Sequence, residues 1–252
     1  MSEPASDLKR PDYGIDAPEV LRRFFLMGTG GVVLGLLLLF VLGDKLPRGL
    51  ASGFGNAFLW MGGTFIIVAV LMILGSKFLK IRVAEKLIDS LSLKGDERVL
   101  DVGCGHGLML ITSAKRLRTG RAIGVDIWQR EDQAGNSREA TLANVHAVGV
   151  ADRVELRDGD ARQLPFDDAS FDVVVSSWAL HNIYERDERA KAVREIVRVL
   201  KPGGRAALID IQHTAEYAEV FRQSGMENVS RSGPNFIFVI PSHELTASKA
   251  LK

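Results

Sequence analysis

Residues 99–107 read Val-Leu-Asp-Val-Gly-Cys-Gly-His-Gly: an apolar run, then an acid, Asp101, then three alternating glycines. Glycines placed there let the backbone turn sharply and approach a ligand where a Cβ would intrude. A dinucleotide fingerprint G-x-G-x-x-G would need glycine at 108 after Gly103 and Gly105, and Leu108 stands there instead. Three more apolar runs end in polar groups. Gly124-Val125-Asp126-Ile127 carries an acid that can accept both hydroxyls of a ribose. Asp158-Gly159-Asp160-Ala161 follows the next run. Ser176-Ser177-Trp178-Ala179-Leu180-His181-Asn182 follows the fourth and brings a histidine, the residue type suited to proton transfer near neutral pH.

These groups need a scaffold that gathers strand ends. The pattern predicts strand 98–102, helix 108–117, strand 121–127, helix 137–148, strands 154–157 and 171–176, helix 188–200 and strand 205–211. Ile81, Ala84, Leu87, Ile88 and Leu91 recur at helical spacing and predict an amphipathic helix over 76–93 that covers one face of the sheet. Strands apolar on both faces, alternating with helices, imply a parallel sheet covered on both sides. Ligands of such sheets bind beyond the carboxyl ends of the strands, where all four polar stretches fall. Lys201-Pro202-Gly203-Gly204 reads as a turn that stops a helix, and 228–249 as strands forming an antiparallel edge.

The glycine loop with its acid, the acid of Asp126, the run 159–171 with Leu164-Pro165-Phe166 and Ser170-Phe171-Asp172, and the Lys-Pro-Gly-Gly turn together resemble the class I S-adenosylmethionine (SAM)-dependent methyltransferases. The likeness covers about 84–249 and points to the branch that methylates quinones, sterols and other small molecules. It implies an α/β fold with a doubly wound, mostly parallel, seven-stranded Rossmann-like sheet. It also implies SAM as cofactor, held by Asp101, Gly103, Cys104, Gly105, Asp126, Ile127, Asp160, Ala161 and Ser176. Amides of Gly103 and Gly105 would meet the methionine carboxylate and Asp101 the ammonium group. Asp126 would take the ribose, Asp160 and Ala161 the adenine edge, and Ile127 with Trp128 would flank the ring or, for Trp128, pack in the core. His181 would stand beside the acceptor, either as the catalytic base or as a positioning group.

The remainder of the chain names a location. Residues 24–43 and 57–75 are uncharged stretches of twenty and nineteen residues, each about 30 Å long as a helix, the thickness of a bilayer core. They read as a transmembrane hairpin, giving three units: a cytoplasmic segment 1–23, the hairpin 24–75 and the methyltransferase domain 76–252. Gly31 and Gly35 form a small-xxx-small pair suited to close helix packing, within the hairpin or in a homodimer. Lys9, Arg10, Arg22 and Arg23 precede the first stretch, and Lys77, Lys80, Arg82 and Lys86 follow the second, against Lys45 and Arg48 between them. That asymmetry puts both termini and the domain in the cytoplasm, at a bacterial inner membrane. Arg22-Arg23-Phe24-Phe25-Leu26 also resembles a twin-arginine export signal, without a small-residue cleavage site after it.

A net charge of +1 over 252 residues gives no field for nucleic acid, and a single cysteine excludes a disulfide framework or a cysteine-based metal site. The short link after strand 205–211 leaves no room for a large lid there, so the acceptor's cover must come from the N-terminal helices, the Trp178 loop or the membrane. Phe236-Ile237-Phe238-Val239-Ile240-Pro241 reads as a buried strand or as an apolar lip over the site. The expected partners are the lipid bilayer and a small, lipophilic or amphipathic acceptor. The alternatives are a soluble metabolite or protein acceptor, with the hairpin as anchor, and a SAM-binding scaffold without turnover.

Overall fold

The computed structural model describes residues 11–129, 135–237 and 239–251. Lys9, Arg10 and Phe238, named above, lie outside them. Two apolar helices come first: α1, Pro18–Leu36, extended by a π-helical turn over Leu37–Val41, and α2, Arg48–Leu74. They pack on a seam of glycines. A Cβ on Gly62 would stand 2.6 Å from the Gly28 carbonyl oxygen, and one on Gly31 3.0 Å from the Gly62 Cα. Only bare backbones fit at that distance. The Gly31/Gly35 face is thus used inside the hairpin. Its outer faces are apolar and open, with Phe40 and Trp60 each 79% exposed, the reverse of a soluble helix pair.

The second apolar helix does not stop at Gly75. A π-helical turn over Gly75–Leu79 carries α2 directly into α3, Lys80–Ser90. Each residue of that turn still bonds along the helix, so Gly75 ends nothing.

The domain follows with β1 (Arg98–Val102), α4 (Leu108–Ala114), β2 (Arg121–Asp126), α5 (Arg138–Val148), β3 (Val154–Asp158), β4 (Phe171–Ser177), α6 (Arg186–Val199), β5 (Leu200–Asp210) and α7 (Thr214–Gln223). Strands β6 (Met226–Arg231), β7 (Asn235–Phe236) and β8 (Pro241–Lys249) close the chain. The sheet runs β3-β2-β1-β4-β5-β8-β6, with β7 paired to β8. β1 to β5 are parallel and β8 is antiparallel to its neighbours. The order reverses between β1 and β4, which opens a crevice at their carboxyl ends. One core lies under α3 and α4, around Leu87, Met109 and Val173. The other lies under α6 and α7, around Val174, Ile196 and Phe221.

Two local expectations change. The Lys201–Gly204 stretch lies inside β5 as an irregularity, the register slipping between the Phe171–Leu200 and Val173–Arg205 pairs. The apolar run at 236–241 is not a buried strand: Ile237 is buried, but Phe236, Val239 and Ile240 are exposed at the β7–β8 turn.

Candidate functional site

A cavity of about 570 Å³ opens where β1, β2 and β4 end. The glycine loop forms its floor. Gly103 has φ +70°, and a Cβ there would stand 2.3 Å from the Ala179 Cβ of the loop after β4, so only glycine lets the two loops meet. Its amides are used within the fold. Gly103 and Cys104 N–H donate to the Val125 carbonyl at 2.8 and 3.2 Å, and Gly105 N–H donates to Asp126 Oδ2 at 2.8 Å. The resemblance would aim the Gly103 and Gly105 amides at a carboxylate, and in this structure neighbouring strand-end acceptors take them.

Asp126, at the tip of β2, lines the cavity, and its other oxygen accepts the Trp128 N–H at 2.6 Å. Ile127 lines the cavity too, whereas Trp128 donates its indole N–H to Asp158 at 2.8 Å. Asp160 and Ala161 form the next wall. Arg162 grips Asp160 through Nε and holds its carboxyl below the usual carboxylate range, mainly by that hydrogen bond.

Asp101 lies beneath the floor. Oδ2 accepts the Leu110 N–H at 2.8 Å, and buried Oδ1 has no hydrogen-bond partner among the described residues. Burial pushes its pKa up to about 8, the Leu110 amide opposing and Asp126 adding to the rise. Cys104 lines the cavity, and burial, then Asp101 and Asp126, raise its thiol well above the ordinary value.

Besides Asp101, two further sequence candidates are not among the residues that line the cavity. Ser176 is buried, its hydroxyl donating to the Val102 carbonyl at 2.7 Å, so it joins β4 to β1, and Ser177 lines the cavity in its place. Strand alternation makes neighbouring residues face opposite ways. His181 is not among the cavity's residues, whereas its neighbours Leu180 and Asn182 are.

Sequence reasoning missed Tyr13, Asp16 and Lys80, which wall the cavity beside the glycine loop. A signal existed for Lys80. It falls on the buried stripe of α3, four residues before Ala84 and seven before Leu87, where a lysine is out of pattern. Nothing in the sequence pattern marks Tyr13 or Asp16. Asn182, Ile183, Tyr184, Glu185 and Glu188 complete the far end. Buried Arg189 holds that end in shape, donating to the Ile183 and Tyr184 carbonyls at 2.9 and 2.7 Å.

Residues 100–208 match the protein family described as "Methyltransferase domain". The chain is 32% identical over 169 residues to 27-O-demethylrifamycin SV methyltransferase of Amycolatopsis mediterranei, covering 66% of this chain and 57% of that one. It is 35% identical over 134 residues to the chloroplastic 2-phytyl-1,4-beta-naphthoquinone methyltransferase of Arabidopsis thaliana, covering 53% and 48%. The chain thus spans about half the length of these relatives. Among solved structures, a SAM-dependent methyltransferase from Aquifex aeolicus superimposes with a TM-score of 0.52 at 21% identity, over 66% of this chain and 88% of that one, a likeness of fold. With the glycine loop, the strand-end acids and the sheet order in agreement, the chain carries a class I SAM-dependent methyltransferase domain, whose cofactor is SAM.

Proposed function

We propose that this chain is a membrane-anchored enzyme that moves a methyl group from SAM to a small lipophilic or amphipathic acceptor. The carrying observation is that the cavity wall contains Tyr13 and Asp16 from before the apolar hairpin and Lys80 from directly after it. A simple anchor would leave the cavity to the domain alone. The name of the plant relative, with its phytyl-bearing naphthoquinone, supports a lipophilic acceptor. The hairpin's open apolar faces support insertion in a bilayer, with both termini and the domain on the cytoplasmic side of a bacterial inner membrane.

The residues present fit the cofactor. A cavity of this size suits a nucleoside-sized ligand, and buried Asp101 Oδ1, without a hydrogen-bond partner among the described residues, leaves an acceptor open beneath the loop. Asp101 would balance the ammonium group, Asp126 would accept ribose hydroxyls, and Asp160 with Ala161 would read the adenine edge. Cys104, Gly105 and Ile127 would pack along it. Bound SAM supplies a methyl group on a sulfonium, already a good leaving group. What the protein adds is alignment and dryness: the Trp178 loop and the Arg189-braced turn would hold the acceptor in line, worth several kcal/mol on the order of known effective molarities.

The test is to incubate full-length protein with methyl-labelled SAM and a total membrane extract, then partition the products. Label in the organic phase is expected. Label confined to the aqueous or protein fraction would overturn the lipophilic acceptor and leave the hairpin as an anchor. Binding of SAM with no label in any fraction would favour a non-catalytic scaffold.

A further inference from the structure

Residues 12–16 precede the first apolar helix, yet both ends of this segment are fastened at the catalytic domain. Asn144 on α5 clamps the first end. Its Oδ1 accepts the Asp12 N–H and its Nδ2 donates to the Asp12 carbonyl, both at 2.8 Å. That Nδ2 also donates to the His106 carbonyl at 3.0 Å, and His106 Nδ1 lies 3.1 Å from the Asp12 carbonyl. The clamp therefore bears directly on the glycine loop.

Lys80 holds the other end. Its ammonium, on a side chain 1% exposed, donates to the Tyr13 carbonyl at 2.8 Å, the Gly14 carbonyl at 3.2 Å and Asp16 Oδ2 at 2.8 Å. A buried ammonium is tolerated only when its protons are bonded, and all three are bonded to this one segment. Ser76, also buried, accepts the Asp16 N–H at 3.2 Å. The Tyr13 ring lies in the same core as Ala84, Leu87 and Ile88 of α3. Beyond Asp16 the chain turns at Ala17, with φ +48°, straight into α1.

We propose that residues 12–16 form a latch that retains the cofactor, and that Lys80 is the positioning residue that holds it shut. The proposal rests on SAM occupying the cavity and adds that its residence there is set at the root of the hairpin. Tyr13 and Asp16 wall the cavity beside Gly103–His106. Loosening them removes cover from the glycine-loop end without touching Asp126 or Asp160. The second fastening sits on an element continuous with the apolar helices, Lys80 and Ser76 being on the α2–α3 rod, and the latch itself leads into α1.

The experiment uses the full chain in detergent and needs no acceptor. Lys80→Met keeps the stem and removes the ammonium, and Asp16→Asn keeps the shape and removes one charge. SAM dissociation rates are measured by stopped flow, and backbone hydrogen exchange at residues 12–16 with and without SAM. Lys80→Met is expected to release SAM about tenfold faster or more, Asp16→Asn less so because two carbonyl bonds remain. SAM should slow exchange in the latch of the wild type, and less in Lys80→Met. Folded variants with wild-type release rates, or latch amides indifferent to SAM, overturn the proposal. Should Lys80→Met fail to fold, a wild-type release rate in Asp16→Asn is sufficient to overturn it. A wild type that binds no SAM would instead overturn the assignment of the cavity itself.

Discussion

His181 Nδ1 stands 2.6 Å from Asp210 Oδ1, across the gap between the loop after β4 and the end of β5. The contact lacks hydrogen-bond geometry. Asp210 Oδ2 accepts the His181 backbone N–H at 3.1 Å and the Tyr217 hydroxyl at 3.4 Å. Burial, then the Asp210 carboxylate, pushes the Tyr217 phenol well above its ordinary value. Three groups thus converge on one buried acid, outside the cavity.

His181→Gln is therefore expected to leave SAM affinity unchanged and turnover within a few-fold of wild type, while lowering stability by about 1 kcal/mol. Asp210→Asn should cost about 1–3 kcal/mol by the same reasoning. Thermal melts beside SAM titrations check both. A drop in turnover of a hundredfold or more with an unchanged melt would restore His181 as a base.

Asp126 carries two roles, acceptor for the cavity and anchor of the Gly105 and Trp128 amides. Asp126→Ala should weaken SAM binding by roughly ten- to a hundredfold, the usual range for a charged hydrogen-bonding partner. Asp126→Asn, which keeps one acceptor oxygen, should lose less. Calorimetric titration decides, and wild-type affinity in Asp126→Ala would remove the ribose assignment.

Asp101 gives the cofactor-free protein an unusual pH dependence. Its folded pKa is raised to about 8, against about 4 in an unfolded chain. Between those values the folded form keeps a proton that the unfolded form has released, so stability falls as pH rises through the window. Asp160 and Glu195 act oppositely: Arg162 and Arg198 hold them low, and their stabilisation is present above the ordinary carboxylate range and lost only in acid. Melting temperature should fall between about pH 5 and pH 8, and Asp101→Asn should flatten that fall. An equal slope in the variant would refute the assignment.

The glycine seam predicts a contrast between close neighbours. Gly62→Ala would press a Cβ onto the Gly28 carbonyl and the Val32 amide, each 2.6 Å away, whereas Gly63→Ala meets nothing within 4 Å. Melts in detergent should show Gly62→Ala destabilised by about 1–3 kcal/mol and Gly63→Ala near wild type. Equal melts would mean the two helices do not cross there.

Much of this site was legible because strand ends announce themselves. Asp126 closes an apolar run, Asp160 follows the next strand by two residues, and both line the cavity. Ser176 and His181 stand outside the cavity's lining for reasons of pairing, not spelling. One residue of alternation separates Ser176 from Ser177, and the setting of His181 depends on Asp210, twenty-nine positions on. Lys80 was counted among charges that orient a membrane protein, yet its ammonium is buried. The carbonyls of Tyr13 and Gly14 that it serves are the same in any sequence, so no residue type betrays them.

The unbroken helix from α2 through α3 has a mechanical consequence. In a bilayer, Lys80 stands only five residues beyond Gly75, about 8 Å at the usual rise per residue. The helix is then a ruler with no joint, fixing the height and azimuth of the crevice over the headgroup layer. On the membrane-anchored reading proposed above, such a domain would not roam for its acceptor. It would sample only molecules that drift laterally to one depth, and its search would be two-dimensional.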